Sequence, residues 1–262
     1  MSYGKSLLRA FSTIGLVLVF GVSMNASAGL FGIGGSTMNW KEEVLLHDGQ
    51  IVVAERFYNL GSHPTLDSRE RAALDQTVTF NLIGTNKKIT WKTDFRDSEP
   101  VPNSLNLLLF DVVKGVPYIA TYPAGCIAYN KWKRPNPTYV LFKYEGGEWK
   151  QISLAEFPAE LSKTNVIVGR PPSELLKSFY KVADVQERNY YLQADYKTIL
   201  REAVKRQGPE SCGEMARTKD GGWIGIGWFR DQPTREACLN YCVQKKVGAE
   251  NCPCETLFKD AK

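Results

Sequence analysis

Short apolar runs broken by glycine-centred turns constrain this chain more than any other feature of its sequence. Lys41–His47 and Gln50–Phe57 flank Asp48-Gly49, a pair that accepts the left-handed backbone of a tight hairpin turn. Gln76–Ile83 and Lys87–Thr93 flank Gly84-Thr85-Asn86 and alternate apolar with polar residues. Thr138–Tyr144 and Glu148–Ser153 flank Gly146-Gly147, and Lys114-Gly115 separates Leu105–Val113 from Pro117–Thr121. Eight or so strands joined by hairpins predict an antiparallel β domain over 37–170, either a sandwich or an open barrel. With the helices expected after it, the chain is of the α+β class. The longer connections Gly61–Asp75, Asp94–Ser104 and Ala124–Pro137 are rich in Pro, Gly, Asn and charge, and any binding site in this domain is expected to use them.

The pattern changes over 171–207. Leu192, Tyr196, Ile199, Leu200 and Ala203 recur at helical spacing until Gly208-Pro209, which predicts an amphipathic helix packed on the sheet. Pro171-Pro172-Ser173 opens a shorter expected helix with Leu175, Leu176, Phe179 and Tyr180 on its apolar side. Leu107–Val113 and Trp223–Phe229 are too short to span a membrane and read as buried strands.

Residues 208–262 hold five of the six cysteines and carry no net charge. So small a segment leans on disulfides. Thr234–Val247 reads as a short helix that places Cys238 and Cys242 on one face, while Cys252 and Cys254 share one side of an extended strand. The order Cys238-x3-Cys242…Cys252-Pro253-Cys254 locally resembles the cysteine-stabilised αβ motif of defensin-like proteins. Six cysteines allow fifteen pairings, among which sequence does not select. The pairing expected is Cys238 with Cys252, Cys242 with Cys254, and Cys126 with Cys212, the last tying the module to the sheet domain. Four thiolates at this spacing also suit tetrahedral Zn²⁺, but no histidine is close by and export would oxidise them, so neither metal nor cofactor is expected.

Export is expected from the first 28 residues. Lys5 and Arg9, with no acidic residue, precede the apolar stretch Ile14–Val22 and then Ala26-Ser27-Ala28, the order of a cleavable signal peptide. A Gly-rich linker, 29–36, would follow, and no later segment is apolar enough to cross a membrane. Cleavage would lower the net charge from +5 to +3, too little to draw in nucleic acid or anionic lipid at long range. The expected place of work is the periplasm or the medium.

Catalytic patterns are sparse. The histidines are His47 and His63; a serine hydrolase would need one of them to converge in space with a serine and an acid, and no Gly-x-Ser-x-Gly elbow occurs. The carboxylates Glu42 and Glu43, or Asp94, Asp97 and Glu99, suit a glycosidase only at a separation that spacing does not reveal. Gly225-Ile226-Gly227 lacks the rest of a dinucleotide fingerprint and reads as a strand with Trp223 and Trp228 on its two faces. The most site-like stretch runs from Tyr129 through Lys131, Trp132, Lys133 and Arg134 to Tyr139, where cations alternate with aromatics as in sites for anionic or sugar-bearing surfaces. Trp223, Trp228 and Arg230 form a second candidate surface.

Over 37–170 the chain resembles a family of small, uncharacterised exported bacterial proteins. The likeness rests on Trp40-Lys41-Glu42-Glu43-Val44-Leu45-Leu46-His47-Asp48-Gly49, on Pro117-Tyr118-Ile119-Ala120-Thr121, on Gly125-Cys126, and on Tyr129-Asn130-Lys131-Trp132 running on to Arg134-Pro135-Asn136-Pro137. The family implies no activity, cofactor or partner. The function expected is therefore a non-enzymatic envelope protein that binds a protein or polymer. An envelope glycan hydrolase, or an inhibitor or immunity-type protein acting through the cysteine module, are the alternatives.

Overall fold

A computed structural model describes residues 36–64, 71–85, 87–94, 105–205 and 212–259. The expected signal peptide, linker residues 29–35, and Asp97 and Glu99 lie outside them.

The hairpin rhythm builds two antiparallel meanders. Strands β1 (Ser36–Leu45), β2 (Ile51–Pro64), β3 (Arg71–Asn81) and β4 (Lys88–Asp94) form one sheet, and β5 (Leu105–Val113), β6 (Val116–Pro123), β7 (Val140–Glu145) and β8 (Glu148–Ile152) form the other. Lys114-Gly115 and Gly146-Gly147 are two-residue turns with positive φ at both positions, the geometry whose twist matches the flanking strands. The sheets pack face to face: Val44, Val52, Val78 and Ile89 of the first share a buried core with Leu107, Phe110, Ile119 and Phe142 of the second. That is a sandwich, and the barrel alternative falls away.

The strands of the first sheet outrun the second. Trp40, Glu42, Arg56, Tyr58 and Gln76 lie on the same face as the core residues but are covered by Ile167, Tyr180 and Val185 of the following segment. Arg56 donates to Glu42 at 2.5 Å and to the Ile167 carbonyl at 3.1 Å, and Glu42 also accepts from the Ile167 amide at 2.9 Å. Each charge is thus met by a partner and a backbone group, and Arg56 Nη2 also donates to the Tyr58 hydroxyl at 3.1 Å, which leaves Nε as the guanidinium nitrogen with no described partner.

Four expectations are corrected here. The stretch 61–75 is strand at both ends, with β2 running to Pro64 and β3 starting at Arg71 through register shifts. The expected helix over 192–203 contracts to α3 (Ala194–Lys197), beyond which the backbone is drawn out: Ile199 donates to Ser162 O at 2.8 Å and Thr164 to Lys197 O at 3.1 Å. Tertiary pairing of β-branched Thr198 and Ile199 overrides the helical spacing, and Ile199 is buried on the second sheet's outer face. The helix after Pro172 is a single 3₁₀ turn, Ser173–Leu175, followed by β9 (Phe179–Tyr180), which adds in parallel to the edge of β1. Helix α2 (Val182–Asn189) comes next, its start fixed by Asp184 accepting from the Lys181 amide and Glu43 from the Val182 amide.

The fourth correction concerns the module. Trp223–Phe229 is not one strand: β10 (Met215–Arg217) pairs with β11 (Trp223–Gly225), and the chain then turns into α4 (Gly227–Arg230). Helix α5 (Arg235–Gln244) forms as expected, with Thr234 accepting from the Ala237 amide at its start, a cap that satisfies one orphan donor. Cys252 and Cys254 are not on a strand, because Pro253 is right-handed and opens α6 (Cys254–Leu257). The chain folds back along α5, so Cys252, reached first, meets the later helical Cys242, while Cys254 reaches Cys238. The expected pairing of these four is therefore exchanged; Cys126 with Cys212 stands.

Candidate functional site

Two concavities carry unspent chemistry. The first, about 380 Å³, opens where the end of β1 meets β5, and segment 160–165 and α2 complete its walls. A β-bulge builds it. Leu105 and Leu107 point into the inter-sheet core, the register shifts between Leu107 and Leu109, and Phe110 and Val112 then take the inward positions. Without the extra residue, strand alternation would place Asp111 on the face of Leu105 and Leu107. With it, Leu109 and Asp111 line the cleft.

The β1–β2 turn supplies the partner. Leu46 donates to Gln50 O at 2.8 Å and Gly49, with φ of +87°, to Leu46 O, so the loop has three residues rather than the two expected. His47 thereby leaves the ladder and faces Asp111. Its amide reaches Oδ2 at 2.9 Å and its Nδ1 lies 2.7 Å from Oδ1, while the Val112 amide donates to Oδ1 at 2.7 Å.

An ionised carboxylate only accepts, so the Nδ1 proton faces Asp111 and the lone pair of neutral His47 sits on Nε2. Nε2 has no hydrogen-bond partner among the described residues, and the His47 side chain is 25% exposed. The hydrogen bond to Asp111, aided by the charges of Asp111, Asp48 and Glu160, raises the His47 pKa above its usual value. Burial pushes the Asp111 carboxyl up against these three donors. Glu43, Glu160, Ser162 and Lys163 also line the cleft, with leucines and valines as its apolar surface.

The second concavity is a groove of about 390 Å³ between the edges of the two sheets. Trp91 comes from β4, Phe142 from β7, Trp149 from β8, and Lys131 and Trp132 from the end of α1 (Cys126–Lys131). Trp132 stands edge-on to Phe142 at 5.9 Å and Trp91 is tilted against it at 6.0 Å. Trp149 donates to the Thr90 carbonyl at 2.9 Å, locking its ring across the sheet edges. Lys92 is exposed on the rim.

The cation-rich loop is divided in its duties. Lys131 and Trp132 line the groove. Tyr129 is buried beneath the Arg134 guanidinium, which donates to Cys212 O and Gly213 O; with Asn130 it clasps the start of the cysteine module beside Cys126–Cys212. Lys133 is exposed at a φ of +61°. Tyr139 is buried, and its hydroxyl holds Asp195 O and the Leu200 amide. In the module Trp223 is half-buried under Arg217, whereas Trp228 and Arg230 are exposed on α4. Trp228 is therefore no partner of Trp223 across a strand.

Of the carboxylates considered, Glu42 is spent on Arg56. β2 carries His63, but its side chain is outside the described set. Cys242, Cys252 and Cys254 have sulfurs within 4.8 Å of one another, and each is bound in a disulfide. Among the described residues no helix is long and apolar enough to cross a membrane.

The fold thus defines a disulfide-stapled α+β protein with two concavities on one sandwich. No protein-family model, curated protein or solved structure matches the chain.

Proposed function

We propose that the chain is an exported protein of the cell envelope that binds a polymer in the tryptophan groove. The reading is carried by one observation: three tryptophans and Phe142, drawn from both sheets and α1, line a single groove with Lys92 and Lys131. Aromatic faces hold sugar rings and other flat apolar surfaces at small entropic loss, and flanking ammonium groups favour an acidic polymer. Export is supported by the charge-then-apolar order of residues 1–28 and by three disulfides, which persist in oxidising compartments.

The test is quenching of tryptophan fluorescence by soluble peptidoglycan fragments and by an acidic polysaccharide, in the intact oxidised protein. Trp132→Ala should weaken binding about tenfold, equivalent to ~1.4 kcal/mol, together with a lower melting temperature because its ring packs on Phe142, while Lys92→Ala should make binding less sensitive to salt with the melting temperature unchanged. Affinity untouched by both substitutions would remove the groove from the account.

A further inference from the structure

His47, Asp111 and Ser162 are brought to one cleft from positions scattered over more than a hundred residues. The His47–Asp111 pair is costly to build. A carboxylate stands in the apolar run Leu107–Val113, a bulge turns it outward, and the side chain of Asp111 ends only 3% exposed. The Nδ1 contact sets the tautomer, the two backbone amides hold the carboxylate in place, and Nε2 of His47, a residue lining the cleft, has no partner among the described residues. Ser162 is held by its backbone, whose carbonyl accepts from Ile199, while its hydroxyl engages no described residue. Leu45, Leu46, Leu109 and Leu161 give the cleft an apolar lining suited to a short acyl group.

We propose that this cleft is an esterase-type acyl-transfer site, in which Ser162 is the nucleophile, His47 the general base and Asp111 the group that positions His47. The activity is separate from polymer binding in the groove and does not depend on it. Ser162 Oγ bonds to the ester carbonyl carbon while its proton passes to His47 Nε2. The bond to the alcohol oxygen then breaks, and that oxygen takes the proton from His47. Water attacks the acyl-serine in the same way, losing a proton to His47, and collapse returns the serine hydroxyl and releases the carboxylic acid. The net reaction is ester plus water to acid plus alcohol. No hydrogen bond joins Ser162 to His47 in this structure; such bonds in hydrolases commonly tighten only when substrate is bound.

The probes are an alkyl fluorophosphonate, whose phosphorus bonds to an activated serine with loss of fluoride, and p-nitrophenyl acetate and butyrate. In the intact oxidised protein, peptide mapping should place the phosphonyl adduct on Ser162. Ester hydrolysis should fall at least about a hundredfold in His47→Gln and to the buffer rate in Ser162→Ala, a substitution that removes no described hydrogen bond. Asp111→Asn should lower kcat far more than it raises KM. No adduct at Ser162, or hydrolysis that survives Ser162→Ala, overturns the proposal, and mapping the adduct on the unsubstituted protein decides the matter even if a His47 or Asp111 variant does not fold.

Discussion

Among the described residues, sixteen buried ones form one core between the two sheets without a single cysteine, whereas in the C-terminal module three of the six buried core residues, Cys238, Cys242 and Cys254, are half-cystines. The sandwich has enough apolar area to fold by burial and spends part of it on a buried ion pair. Among the described residues the module fully buries Ala216, Phe229 and Val247 besides its sulfurs, with residues such as Ile224, Leu239 and Tyr241 only partly covered, too little to hold a fold by burial alone. Stability in one region lies in packing and in a few polar contacts that must stay complete; in the other it lies in covalent closure of short loops. Substitutions that attack one mode should leave the other region standing.

Glu42→Ala is expected to have the largest effect. It strands the Arg56 charge at a site where both side chains are 0% exposed, and losing one partner of a buried pair costs about 3–5 kcal/mol. Urea unfolding followed by tryptophan fluorescence should show the loss, with amide exchange slow in α5 and fast in β1–β3. Equal loss of protection in the module would mean that the two regions unfold as one. Next in size is Cys238→Ser combined with Cys254→Ser, which opens a loop with a sequence separation of 16 and should destabilise the module by about 2–4 kcal/mol. Exchange in α4, α5 and α6 should accelerate while β5–β8 stay protected, and a matching loss in the sandwich would erase the distinction drawn here.

The same contrast governs what could be read from sequence. Hairpins were legible because strand alternation and turn chemistry are local: Lys114-Gly115 and Gly146-Gly147 do in the structure what such pairs do anywhere. Helical spacing at Leu192–Ala203 misled because the partner that draws Ile199 into extended backbone, Ser162, lies 37 residues earlier. Cys-x-Cys read as strand because the backbone of Pro253 was free to be either extended or helical, and only the return along α5 decides. Of the groove, Lys131 and Trp132 were visible as an aromatic and basic stretch, but Trp91 and Trp149 join them only through the stacking of two sheets. Asp111 went unread in the sequence, because Leu107–Val113 reads as a plain buried strand and only the bulge turns its carboxylate outward. His47 stood out only as one of two histidines, and its pairing with Asp111, 64 positions away, was hidden because the three-residue loop that frees it differs from a two-residue turn by one hydrogen bond.

The smallest expected effect concerns His47, which stands at the junction of the sheets and tests whether a polar contact there belongs to the packing or to the site. Its folded pKa is raised, chiefly by the hydrogen bond to Asp111. A group raised on folding adds stability that is complete below its unfolded pKa of about 6.5 and is lost as pH climbs through the higher folded value. Asp111, raised by burial, acts with the same sign in a lower window, upward from the ordinary aspartate range. The stability advantage of the unsubstituted protein over His47→Gln should therefore shrink as pH rises from 6 to 8, by an amount kept small by solvent around the ring. Imidazole proton NMR should give a titration midpoint above 6.5, and Asp111→Asn should bring it down. A midpoint that ignores Asp111→Asn would mean that Asp48 and Glu160 set the charge of the cleft, and the bulge that turns Asp111 outward would then serve packing alone.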